Sequence, residues 1–162
     1  MNNLNKTIVG ATTYDRSECS VGVVHLGFGA FHRAHQAVYL DDYMQTSGDL
    51  AWGIAAVNLR GSESGHFADA AADVARHDGY YLKSYSFDGA VELRRVRSHV
   101  AFADWSIDRN GAEDWVAAKT VNLVTITVTE SGYYIDPNGD LDLSDAIIAA
   151  EVSGGDAVSV YG

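Results

Sequence analysis

Two glycines two residues apart, Gly27 and Gly29, stand inside the run HLGFGAFHRAH from His25 to His35. Gly27 closes a β-branched apolar segment, VGVVHLG, and a helical period begins at Ala30. A strand that turns through glycine into a helix is a ready seat for a phosphate. Gly27 can take the positive φ of a tight turn, and Gly29 has no side chain to keep a pyrophosphate from the backbone. The first helical N–H groups and the positive end of the helix dipole point at the same place. A dinucleotide fingerprint carries a third glycine, and His32 replaces it here; small Ala30 and Ala34 are expected to supply close helix packing instead. Arg33, in the first turn, is placed to reach back to a phosphate. Gly27, Phe28, Gly29, Ala30, Phe31 and Arg33 are therefore the expected cofactor residues of this turn.

A second cluster closes the most strand-like segment, TVNLVTITVTE from Thr120 to Glu130. Open α/β sheets place ligand-facing residues at the carboxyl ends of their strands. Alternation puts Thr127 and Thr129 on one side, with Val128 and Glu130 on the other. Thr127, Val128 and Thr129 are expected beside the cofactor. The Glu130 carboxylate is expected to relay protons to bulk water, the alternative being a strand-end acid in solvent. The acidic residue that usually meets the ribose, about 20 positions after the glycines, is not clean. Asp49 has the spacing but precedes the second strand, and Asn58, Arg60 and Glu63 stand at that strand's end. Asn58 and Arg60 are taken as cofactor-side residues. Glu63 and the acidic surface repel a 2′-phosphate whereas Arg60 attracts one, and NAD is expected over NADP.

Other constellations carry less. His32 and His35 have a metal-compatible spacing, yet no Cys, Asp or Glu cluster joins them, and no metal is expected. His25, His66, His77 and His99 read as structural or exposed, and Cys19 lacks a neighbouring base. No nucleophile elbow, P-loop or CxxC occurs.

These residues need elements to hold them. Residues 1–20 read as a polar, irregular arm. Val21–Gly27 is a buried parallel strand. A helix runs from Ala30 to Ser47-Gly48, with Ala30, Ala34, Ala37, Leu40 and Met44 on one face and His32, His35 and Tyr39 on the other. Asp41 falls inside the apolar arc, either as a partly buried acid or near the helix end in water. Trp52–Leu59 is the second strand and completes a βαβ unit. Ser62–Arg76 is helical, and Tyr80–Phe87 with Val91–Val100 forms an antiparallel hairpin around Asp88-Gly89. Gly111–Lys119 holds a short helix, Thr120–Glu130 a central strand, and Asp136–Gly139 a turn. The fold class is α/β, a Rossmann-type parallel sheet with an inserted antiparallel hairpin.

The 162 residues suffice for one domain with a real core, and a net charge of −11 repels phosphate backbones, so no nucleic-acid partner is expected. Arg94, Arg95 and Arg97 read as a solvated strand face. The single cysteine excludes an internal disulfide. No apolar run approaches the roughly 20 residues of a membrane span, and no signal peptide is visible; a cytoplasmic location is expected.

HLGFGAFHRAHQAVYLDD, then WGIAAVNL, then TITVTESGYY with LDL a few residues on, together resemble the polyol-specific long-chain dehydrogenase family of mannitol and sugar-acid dehydrogenases. The resemblance runs from about Val21 to the end. It implies a Rossmann-type N-terminal domain, a following helical substrate domain, and metal-independent hydride transfer between a nicotinamide and a secondary alcohol carbon. Val57–Leu59 (VNL) looks more like the mannonate branch. That branch implies D-mannonate/D-fructuronate as substrate pair, with D-mannitol/D-fructose or tagaturonate as alternatives. His32 at the third glycine position is then the family's own variant. The family's catalytic lysine, with its asparagine and histidine helpers, lies downstream of the residues present. A doubly wound sheet usually has about six strands, and this sequence stops at AVSVYG without a closing element. The expectation is a 1–20 arm and an incomplete 21–162 NAD-binding domain that turns nothing over by itself. The competing reading from another class is a dinucleotide-sensing domain without chemistry.

Overall fold

The computed structural model describes residues 6–8, 11–85, 87, 89 and 91–161. They fall into two compact units, Met1–Ile126 and Thr127–Gly162. In chain order the first unit runs β1 (Lys6–Ile8), β2 (Val21–Leu26), α1 (Ala30–Ala34), α2 (Gln36–Ser47), β3 (Gly53–Asn58), α3 (Ser64–His77), β4 (Tyr80–Tyr85), β5 (Val91–Val96), β6 (His99–Asp104), α4 (Arg109–Ala117) and β7 (Leu123–Ile126).

Four strands form one sheet in the order β6-β3-β2-β7, and every neighbouring pair is parallel. Counted along this sheet alone, that is the 3-2-1-4 order of a nucleotide-binding half, with its topological switch between β2 and β7. β3 is buried along its whole length and β2 along all but Leu26, which is why both read as unbroken apolar runs rather than alternating ones. One face packs Val21, Val24, Ala55 and Val57 against Ala112 of α4, with Trp105 and Trp115 at the margin. The other packs Val23 and Ile54 against Ala37 of α2 and Val96 of β5. A second, three-stranded sheet has the order β1-β5-β4, in which β4 and β5 are the expected antiparallel pair. Gly89 of its turn has φ +83, and Asp88 lies outside the described residues.

Five expectations change. The arm is not wholly irregular: Lys6–Ile8 is a strand, paired parallel to β5. The hairpin's second strand ends at Val96, and His99–Asp104 is a separate parallel strand on β3, because Arg97 and Ser98 turn the chain from one sheet into the other. Those two residues are buried, so Arg97 is no part of a solvated face. Its guanidinium instead meets the Asp78 carboxylate at 2.8 Å and the carbonyls of Thr12 and Tyr14. The helix after the glycines is broken at His35 (φ −125, ψ −85), whose ring takes the Phe31 carbonyl at 2.8 Å while its own N–H turns to His32. With that break His32 turns inward and is buried, while Ala30 is exposed. Finally, the strand expected over Thr120–Glu130 is only Leu123–Ile126, at the edge of the sheet rather than its centre, with Leu123, Val124 and Ile126 exposed.

The second unit opens with a 3-10 turn at Glu130–Tyr133. Ile135 and Leu141 pair across the Asp136–Gly139 turn, in which the Asp136 carboxylate accepts the N–H groups of Asn138 and Asp140. Helix α5 (Ala146–Val152) starts on Asp145, whose side chain accepts the N–H of Ile147 at 2.8 Å. Among the described residues no helix is long and apolar enough to cross a membrane.

Candidate functional site

β2 ends at Leu26, and Gly27 turns the chain with φ +112, a conformation that side chains rarely adopt. Its N–H donates to the Val57 carbonyl at 2.7 Å, so the turn is tied to β3. Gly29 then caps α1 in extended conformation (φ −71, ψ 161), and a Cβ built there meets nothing within 4 Å. The turn therefore presents open backbone at the start of a helix, beside the switch point where β2 and β7 end in register, Leu26 against Ile126. Backbone of this shape fits a pyrophosphate.

The surrounding residues divide by direction. Ala30 and Phe31 are exposed at the turn, Phe31 stacked on His35 with ring centroids 4.2 Å apart. The Phe28 ring instead packs edge-on against Phe67, Tyr80, His99 and Phe102 and anchors the turn from below. Arg33 lies over the Phe28 ring at 5.0 Å, and its buried Nε has no partner. Asn58, at the end of β3, is buried and occupied: its amide donates to the Arg60 carbonyl and to Asp104 Oδ2, both at 2.9 Å, and its oxygen accepts the Arg60 N–H. Asn58 thus shapes the loop that carries exposed Arg60. Asp104 is pulled below the usual carboxylate range, hydrogen bonds from Ser106, Asn58 and Ser64 outweighing its desolvation. Asp49 is spent locally on the N–H of Ala51 and the Trp52 indole.

An apolar hollow of about 310 Å³ opens at the carboxyl ends of β2 and β3, lined by Leu26, Val57, Leu59, Trp105, Ala112 and Val116. Sequence reasoning missed it, because its walls come from β2, β3 and α4, which only the folded sheet brings together.

Behind the turn lie three buried histidines: His25 and His99, read from the sequence as structural or exposed, and His32, read as facing outward. His25 and His32 stack with ring centroids 3.5 Å apart and 5° between planes. His32 Nε2 lies 2.9 Å from His99 Nε2 and its Nδ1 2.9 Å from Gln36 Oε1. Thr125 on β7 joins His25 Nδ1 at 2.8 Å to the same Gln36 oxygen at 3.0 Å. Burial pushes His25 down to about 4 and, with the neighbouring His25 adding to it, His32 down to about 3. His99 is pushed well below its ordinary value by the same burial and by both rings. Among the described residues no group of three or more His, Cys, Asp or Glu side chains is placed to hold a metal.

In the second unit Thr127, Thr129 and Glu130 are exposed and Val128 is half-buried. Thr129 Oγ1 lies 3.2 Å from Ser131 Oγ, and Glu130 starts the 3-10 turn instead of ending a strand.

The model of the mannitol dehydrogenase Rossmann domain matches residues 21–152. The chain belongs to the mannitol dehydrogenase family. A mannitol 2-dehydrogenase of Cereibacter sphaeroides is 31% identical over 141 residues, covering 87% of this chain and 29% of that protein. A D-mannonate oxidoreductase of Escherichia coli (strain K12) is 32% identical over 142 residues, 86% of this chain and 28% of the relative. Among solved structures, the Pseudomonas fluorescens mannitol 2-dehydrogenase, in ternary complex with NAD and D-mannitol, superimposes with a TM-score of 0.70 at 29% identity, over 88% of this chain and 29% of that one. The chain thus spans under a third of the length of these relatives.

Proposed function

We propose that this chain is the NAD-binding domain of an oxidoreductase that moves a hydride between the nicotinamide and a secondary alcohol or keto carbon of a sugar acid, D-mannonate/D-fructuronate. The observation that carries the reading is the open glycine turn at the switch point of a 3-2-1-4 parallel sheet: Gly27 at φ +112 and Gly29 with free space where a Cβ would stand. The mannitol dehydrogenase neighbour with NAD supports the cofactor, and the D-mannonate oxidoreductase relative supports the sugar-acid branch alongside Val57–Leu59.

In this reading the backbone of Gly27, Phe28, Gly29, Ala30 and Phe31 receives the pyrophosphate, and Arg33 adds positive charge beside it. Arg60, with Asn58 shaping its loop, borders the ribose. The apolar hollow at Leu26, Val57 and Trp105 takes a purine ring, whose flat face replaces water against hydrocarbon. Thr127, Val128 and Thr129 border the nicotinamide, and Glu130 exchanges protons with bulk water. Bound NAD supplies the hydride acceptor.

NADH binding followed by quenching of tryptophan fluorescence tests the reading, since Trp105 lines the hollow. Saturable quenching with energy transfer to the nicotinamide is expected. A folded protein with no quenching and no heat of binding overturns it. Assay of a longer form carrying the helical substrate domain, with NADH against fructuronate, tagaturonate and fructose, tests the substrate. A preference for fructose overturns the sugar-acid branch.

A further inference from the structure

We propose that His25, Thr125, Gln36, His32 and His99 form one hydrogen-bonded positioning chain that sets the glycine turn, an imidazole stack standing where a dinucleotide fold usually has its third glycine. The role in cofactor binding rests on the dinucleotide reading given above; the geometry of the chain does not.

The protons assign themselves. Gln36 Oε1 only accepts, and it takes both the Thr125 hydroxyl and His32 Nδ1. His32 therefore carries its proton on Nδ1 and offers the Nε2 lone pair, so His99 Nε2, 2.9 Å away, is the donor. Thr125 has given its hydrogen to Gln36 and accepts from His25 Nδ1. Every proton has one destination, and all three rings are neutral. Reversing the polarity, by turning the Gln36 amide over, would leave His99 with a buried N–H at Nδ1 and nothing to receive it. The lower pKa values of all three rings agree with the neutral arrangement.

The five residues come from five elements: β2, β7, α2, α1 and β6. Two lie close to the turn in sequence, His25 two residues before Gly27 and His32 three residues after Gly29. Their rings touch face to face at 3.5 Å, so the start of α1 stands off the sheet by the thickness of an imidazole. A glycine would leave that distance undefined. The far end of the chain is closed: His99 Nδ1 has no partner, and the ring is packed by Phe28, Tyr80 and Phe102. A proton entering the chain has no exit there. It holds the turn rather than conducting to water.

Three variants test this. Thr125→Val removes the hydroxyl that joins His25 to Gln36 and keeps the branched shape, Thr125→Ser keeps the hydroxyl, and His32→Phe keeps a ring but loses both hydrogen bonds. Imidazole nitrogen–proton NMR reads the tautomers, backbone amide resonances report on Gly27 and Gly29, and calorimetry measures NADH affinity. The expected wild-type pattern is Nδ1–H on His25 and His32 and Nε2–H on His99. Thr125→Val and His32→Phe are expected to fold, lose that pattern and shift both glycine amides. They should also weaken NADH about tenfold, the scale of one lost buried hydrogen bond. Thr125→Ser is expected to restore all three readouts. A folded Thr125→Val protein with unchanged glycine amides and unchanged NADH affinity overturns the proposal. Wild-type protein that binds no NADH counts against the dinucleotide reading alone, and unmoved glycine amides in the variants would still overturn the chain.

Discussion

Tyr14 donates its hydroxyl to Oδ1 of Asp41 at 2.6 Å, and this bond fastens the segment before β2 to the buried side of helix α2. The same oxygen accepts the Thr12 hydroxyl and the Arg97 N–H, and Oδ2 meets Arg94 at 3.2 Å. Asp41 is fully buried. Burial, and then the neighbouring carboxylate, push the Tyr14 phenol well above its ordinary range, so it stays a donor. Asp41→Ala strands a phenol, a hydroxyl and a backbone amide at once, while Arg94 keeps Asp42 at 2.6 Å. It is expected to cost about 3 kcal/mol or more in urea unfolding. A loss below about 1 kcal/mol, the range of an ordinary surface pair, would contradict the role.

The two glycines should separate folding from binding. Gly29→Val enters open space at φ −71 and is expected to leave the melting temperature nearly unchanged while abolishing NADH binding, because the side chain fills the approach to the backbone. Gly27→Ala forces a Cβ onto φ +112 and is expected to cost about 1–3 kcal/mol of stability. Calorimetric titration beside thermal melts checks both. NADH affinity retained in folded Gly29→Val would remove the pyrophosphate from this turn.

Acid should act through the histidines before it reaches the carboxylates. His25 and His32 titrate near 6.5 when unfolded but are held to about 4 and about 3 when folded. The unfolded chain therefore binds more protons between these values. Their contribution is fully present above pH 6.5 and is lost as pH falls toward 4, by roughly 3 kcal/mol for one such ring. Urea midpoints between pH 7 and 5, above the carboxylate range, isolate this slope. His32→Phe should flatten it, and a wild-type midpoint constant across that interval would show that the rings are not held neutral.

NADH is expected to bind more tightly than NADPH, because exposed Glu63 follows Arg60 in the loop after β3 and repels the added 2′-phosphate. Glu63→Gln should narrow the gap. Parallel titrations with the two cofactors decide it, and tighter NADPH binding by the wild type would reverse the assignment.

Local pattern carried the parts of this fold that local forces decide. The glycine turn, the Ser47-Gly48 helix end and the buried β2 and β3 follow from backbone freedom and continuous apolar runs. β6 was hidden because the break before it is a change of sheet, with Arg97 and Ser98 buried at the corner, and no turn residue marks it. His32 looked outward because an unbroken helix was assumed; the side chain of His35 supplies the break by taking the Phe31 carbonyl. The histidine chain joins positions as far apart as His25 and Thr125, which no periodicity can relate. β7 read as central because its residues are apolar and branched, although composition says nothing of how many neighbours a strand has.

The imidazole stack has a consequence for how such a turn can change over generations. His32 is held by partners on three other elements, so exchanging it for glycine leaves a ring-sized void above His25 and removes the acceptor that His99 Nε2 donates to. Each single replacement that removes a ring or one of these hydrogen bonds passes through a less stable protein. His25, His32, Gln36, His99 and Thr125 are therefore expected to be inherited as a block, kept together or exchanged together, and a search keyed to three glycines will pass over any domain that carries them.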